Sequence, residues 1–135
     1  MKSIPIGTQG SASMIVKEEH LANRLKDASL APVFSTPMLV VVMENAALNA
    51  LKPYFEEGEI ALGTAIDVKH LAATPQGFTV TAKAVVSSVE GRKIHFFIEA
   101  FDDFDKIGEA FHERTLIHSV PFMERLSKKA DKKIN

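Results

Sequence analysis

Between positions 33 and 51 the chain reads VFSTPMLVVVMENAALNAL, and Glu44 is the only charged residue between Asp27 and Lys52. Met38 to Met43 precede it without a polar interruption, and Ala46, Ala47, Leu48, Ala50 and Leu51 follow. A helix apolar on nearly every side belongs inside a protein, packed on most faces. Thr36-Pro37 supplies the start, a hydroxyl able to cap free N–H groups and then a proline for the first turn. Pro53 supplies the stop. Downstream the period changes from helical to two. In 60–72, Ile60, Leu62, Thr64, Ile66, Val68 and His70 share one parity, while Asp67 and Lys69 suit solvent. Phe78, Val80, Ala82, Ala84 and Val86 form a second stripe, and Ile94, Phe96, Ile98 and Ala100 a third. A last strand covers 107–119. Turn clusters stand between them at Thr74-Pro75-Gln76-Gly77, Glu90-Gly91-Arg92 and Asp102-Asp103. Upstream, 8–16 reads as a first strand, 17–25 as a short helical turn and 26–32 as a loop. Pro121 opens a final helix ending near Ala130, and the terminal SKKADKKIN reads as frayed and solvated.

The order is therefore strand, long helix, then four consecutive strands joined by short turns, which make antiparallel neighbours. This predicts an α+β fold in which a long central helix packs against a curved antiparallel sheet. Residues 1–135 are expected to form a single domain, with 120–135 as its C-terminal helix and tail. One sheet cannot cover every side of such a helix. A second copy of the chain is the economical cover, so a homodimer is expected, with pairing into tetramers left open.

Composition narrows the function. The length of 135 residues suffices for a real core, and 46% hydrophobic residues argue against disorder. A net charge of -1 gives no electrostatic case for a nucleic-acid partner. The absence of cysteine removes disulfides, thiolate nucleophiles and cysteine-based metal sites. The N-terminal MKSIPIGTQGSAS lacks the apolar core of a signal peptide. The central apolar run, about 15 residues with Glu44 and Asn45 inside it, is too short to span a bilayer. The expectation is a soluble cytoplasmic protein with no membrane partner.

Three residues then carry candidate chemistry. Glu44 is an ionisable group in an apolar helix, costly to bury unless paired, protonated or used. His70 ends the stripe that must look at that helix. Thr36 sits at the helix start, where backbone N–H groups favour developing negative charge. A hydroxyl, a carboxylate and an imidazole in one apolar setting are the parts of an acyl-transfer site. Each also has a plainer explanation: Glu44 as partner of an arginine such as Arg114, His70 as a packed strand histidine, Thr36 as an N-cap. Residues eight apart on a helix differ by about 12 Å along its axis, so Thr36 and Glu44 of one chain do not touch if both are helical. They act together only if the chain folds back before Pro37, or across a dimer interface. Elsewhere His112-Glu113 begins like a zinc-protease motif but lacks the second histidine. His20 and His95 read as surface residues.

The segments VFSTPMLVVVMENAALNALKPYFEEGEIALGTAIDVKHLAATPQG, SVEGRKI and GEAFHERTLIH resemble the fluoroacetyl-CoA thioesterase-like branch of the hotdog-fold thioesterases. The resemblance runs from about Pro32 to His118. It implies a hotdog homodimer with active sites at subunit boundaries, and hydrolysis of acyl-CoA thioesters with neither metal nor cofactor. By position, Thr36, Glu44 and His70 match the family's catalytic set. Gly63 matches a glycine near the acyl group and Arg114 an arginine of the HER segment. Where the fluoroacetate-specific member carries an aromatic lid over the acyl pocket, this chain has Leu30, so the fluorinated substrate is not assigned. In such a mechanism Glu44 acts as general base or as direct nucleophile, His70 shuttles protons to sulfur and Thr36 positions water or the carbonyl. The rival readings are a non-catalytic acyl-CoA or acyl-lipid binding module and a hotdog hydratase.

Overall fold

A computed structural model describes residues 1–134, and Asn135, the end of the predicted tail, lies outside them. Five strands, β1 (Gln9–Ile15), β2 (Glu59–His70), β3 (Thr79–Glu90), β4 (Lys93–Phe101) and β5 (Lys106–His118), form one antiparallel sheet. Three α-helices accompany it: α1 (Ala22–Leu25), α2 (Thr36–Leu51) and α3 (Ser119–Asp131). The sheet order is β1-β3-β4-β5-β2. This corrects the expectation that all four strands after α2 are hairpin neighbours. β3, β4 and β5 are, but β2 pairs with β5 and the 71–78 connection crosses to the far side of the sheet. Within the turn cluster Thr74 is buried, while Pro75, Gln76 and Gly77 stay exposed. Phe34 N–H donates to the Thr74 carbonyl at 2.8 Å, and Thr74 Oγ1 donates to Asp102 Oδ2 at 2.8 Å, tying the crossover to the β4–β5 turn.

Helix α2 packs chiefly across β1 and β3. Its buried face is Leu39, Val42, Met43, Ala46, Ala47, Ala50 and Leu51. It meets the alternating stripes Val80, Ala82, Ala84, Val86 and Ile94, Phe96, Ile98, Ala100, which all point inward as their period of two requires. Small residues let the backbones approach closely. A Cβ built on Gly10 of β1 would overlap the Ala46 carbonyl and the Ala50 amide. The helix is not covered all round. Val41 is 39% exposed, Asn45 and Asn49 face solvent, and Glu44 lies half-buried between the two sides. Its start is one residue off the expectation: Ser35 is the N-cap, and Thr36 and Pro37 open the first turn.

Strand β2 breaks the predicted parity. Its register against β5 shifts between Gly63 and Ala65, which makes Thr64 the extra residue of a β-bulge. Before the bulge Glu59 and Ala61 are buried while Ile60 and Leu62 are about 40% exposed; beyond it Ile66, Val68 and His70 take the inner face. At the other end of the chain α3 runs to Asp131, close to the expected end near Ala130 but starting two residues before Pro121, and it has no buried residue. Among the described residues no helix is long and apolar enough to cross a membrane.

The Gly10 approach makes a direct prediction. Gly10→Ala forces α2 off β1, and overpacking of this kind costs about 1–3 kcal/mol. Urea unfolding is expected to show the midpoint falling with an unchanged slope.

Candidate active site

The predicted residues gather in two places. At the N-terminal end of α2, the Thr36 hydroxyl lies 2.9 Å from His70 Nδ1. Both ends of this pair are fixed by backbone. The residue after His70 donates its N–H to the Ile107 carbonyl at 2.7 Å, and the residue before Thr36 donates to the His20 carbonyl at 3.0 Å. The Thr36 hydroxyl thus pairs with His70, and the helix cap is Ser35. His70 is half-buried, and its Nε2 is buried without a hydrogen-bond partner among the described residues. A recess of about 350 Å³ lined by Val33, Thr36, His70, Leu71, Ala72 and Ala73 opens beside the pair. Leu30 is absent from that lining and lies 41% exposed in the loop before α2.

Two turns along α2, Glu44 lies against β2 and β5. Its Oε2 is 3.4 Å from Arg114 Nη1, with the arginine side chain 8% and the glutamate side chain 37% exposed. The plain pairing of Glu44 with Arg114 is therefore present. Arg114 is held by the Ala61 carbonyl, which accepts from Nε at 3.2 Å and from Nη2 at 2.8 Å. Gly63 faces this cluster because it is glycine: a Cβ there would overlap the Glu44 carboxylate. In a regular strand Gly63 and His70, seven apart, point to opposite faces. The Thr64 bulge brings both to the helix side.

His112 completes the cluster and was not singled out as a site residue from the sequence. It is 3% exposed, stacked on Phe96, with Nδ1 2.8 Å from the Ala65 carbonyl and Nε2 3.3 Å from Arg114 Nη1. Its parity in β5, shared with Arg114, was the available signal. His20 and His95 are less exposed than expected. His20 Nδ1 accepts from Lys17 N–H, and His95 on the outer face is bonded to Ser88 and Glu113.

Burial pushes both His70 and His112 below the ordinary histidine value of 6.5. For His112 the Arg114 charge adds to that push, while the Ala65 carbonyl, Glu44 and Glu113 oppose it. The sign of the linkage follows. Below pH 6.5 the unfolded chain takes up protons at these positions before the folded chain does, so stability falls as pH drops through that region and stops falling below the lowered folded values. Urea midpoints measured between about pH 7.5 and 5 are expected to decline well before the carboxylates titrate, with a shallower decline for His112→Gln. A profile flat down to the carboxylate range contradicts this.

The pattern of the fluoroacetyl-CoA-specific thioesterase family matches residues 16–120. A fluoroacetyl-CoA thioesterase of Streptantibioticus cattleyicolor is 46% identical over 102 residues, 76% of this chain and 73% of that protein. A solved structure of a fluoroacetyl-CoA thioesterase superposes with a TM-score of 0.89 at 38% identity, covering 95% of this chain and 98% of that one. A hypothetical protein of Thermus thermophilus, a thioesterase superfamily member, superposes with a TM-score of 0.90 at 26% identity, covering 98% and 97%. The helix laid across a curled antiparallel sheet is thus the hotdog arrangement, and the chain belongs to the fluoroacetyl-CoA-specific thioesterase family.

Proposed function

We propose that this protein hydrolyses the thioester of a small acyl-CoA to the free acid and CoA, at a site completed only in a homodimer. Thr36 and His70 come from one protomer, and Glu44, Gly63 and Arg114 from its partner. The observation that carries this reading is the division of the candidate residues into two half-sites. Thr36–His70 stands at the end of β2, Glu44–Arg114 stands over its middle at Gly63, and β2 is an edge strand with one side unpaired. A long bare edge invites pairing with another strand. Antiparallel pairing of β2 with its own copy, centred on Asp67 and with Thr64 bulged out of the register, sets His70 opposite the partner's Gly63 and so beside the partner's Glu44.

Chemistry follows from the groups. Thr36 positions the thioester carbonyl or the attacking water through its hydroxyl. Glu44 either draws the proton from that water or attacks the carbonyl itself. The oxyanion that forms is held by backbone N–H groups at the start of α2 or near Gly63, and the loss of one such donor typically costs about 3 kcal/mol. With the Thr36 hydroxyl donating to Nδ1, the proton of neutral His70 sits on Nε2, the nitrogen left without a partner. From there it is passed to the departing sulfur and is replaced by the one taken from water. The acyl group stays unassigned: with Leu30 exposed and outside the recess, nothing aromatic from that position closes over it.

Purified protein incubated with short acyl-CoAs and a thiol reagent should release free CoA. Binding without release supports an acyl-CoA binding module, and hydration of crotonyl-CoA without release supports a hydratase. Glu44→Gln should lower kcat by orders of magnitude with the melting temperature kept. The divided site gives a sharper expectation. Glu44→Gln and His70→Ala are each inactive, yet mixing and re-pairing them restores about a quarter of wild-type activity, since half the dimers are mixed and each carries one intact site. No recovery in verified mixed dimers means that both residues act within one chain.

A further inference from the structure

We infer that His112 is a positioning residue, locked as a neutral imidazole, that aims the Arg114 guanidinium at the Glu44 carboxylate. This rests on reading Glu44 as the reacting carboxylate.

The hydrogen bonds fix the ring. A carbonyl only accepts, so the 2.8 Å contact between His112 Nδ1 and the Ala65 carbonyl requires the proton on Nδ1. A guanidinium only donates, so the 3.3 Å contact between Arg114 Nη1 and Nε2 requires a bare lone pair there. One tautomer satisfies both, and a second proton on Nε2 would set two donors against each other in a buried place. The Ala65 carbonyl adjoins the Thr64 bulge, so the irregularity that turns Gly63 toward the helix also supplies the anchor for this ring.

Arg114 needs such a neighbour. Its Nε and one N–H of Nη2 are taken by the Ala61 carbonyl, and its contacts with His112 and Glu44 are made through Nη1. Nη1 lies 3.3 Å from His112 Nε2, 3.5 Å from the Glu44 carbonyl and 3.4 Å from Glu44 Oε2. The strand carbonyl holds the fork on one side and the imidazole on the other, so the ion pair is met by a donor in a fixed place. Gly63 closes the remaining side, since any Cβ there would push the carboxylate away. Among the described residues the bond to the Glu44 carboxylate uses Oε2, which leaves Oε1 of this half-exposed side chain available. The plain alternative is a packed core histidine whose bonds only satisfy buried polar groups.

His112→Phe keeps the ring stacked on Phe96 but removes the acceptor, and His112→Gln returns an oxygen near the place of Nε2. His112→Phe should lower kcat for acetyl-CoA by about tenfold to a hundredfold, with KM little changed and most of the loss recovered in His112→Gln. In the Arg114→Met background, His112→Phe should add nothing to the loss, because it acts through the arginine. Nitrogen-15 NMR of labelled wild-type protein should find His112 neutral with its proton on Nδ1 at pH 7, a measurement that needs no variant to fold. Full kcat in His112→Phe, an undiminished further loss in the Arg114→Met background, or a proton on Nε2 overturns the inference. Failure of the thioesterase reading looks different: wild-type protein then releases CoA from no acyl-CoA, whatever the state of the ring.

Discussion

The close approach of α2 to the sheet is the constraint on which the rest depends. Gly10 on β1 and Ala46, Ala47 and Ala50 on the helix let the two backbones meet with almost no side chain between them. The helix is therefore seated deep on the β1–β3 side, and its opposite flank is left toward β2 and β5. Glu44 lies on that flank. A bulkier residue at any of these contacts would lift the helix and carry the carboxylate away from Gly63 and Arg114. Packing here is the way a soft set of ionisable groups acquires fixed positions.

The helix and strands were legible in the sequence because their signals are local. A largely apolar run of about 15 residues with a proline at its start and another just past its end gave α2, and alternation with a period of two gave the stripes of β3 and β4. Two features were not legible, for a common reason. The crossover from β2 to β3 and the bulge at Thr64 are both decided by partners distant in sequence. Thr74-Pro75-Gln76-Gly77 has turn chemistry whether the chain reverses in place or crosses the sheet. Thr64 suits a strand, and Gly63 beside it fits a bulge or a close backbone approach equally well.

For the candidate site the sequence supplied the groups and withheld their arrangement. Thr36, Glu44 and His70 stood out because polar groups in apolar stretches need a reason to be there. The carboxylate proved only half-buried, since the flank of the helix that reads as core in the sequence is open in the folded chain. Arg114 was anticipated both as a partner for Glu44 and by family position, and the ion pair is there. His112 was passed over, set aside with an incomplete zinc motif. Its importance lies in contacts to Ala65 and Arg114 that no spacing rule announces.

The extra residue at position 64 has a consequence for how relatives are compared. It acts as a phase shift in β2, and every position downstream of it owes its facing to that one insertion. A homologue lacking it can match this chain at Glu44, Gly63, His70 and Arg114 and still send His70 into solvent. An alignment scores that difference as a single gap, smaller than many harmless substitutions. Deletions within this strand therefore weigh more than percentage identity when function is transferred between members.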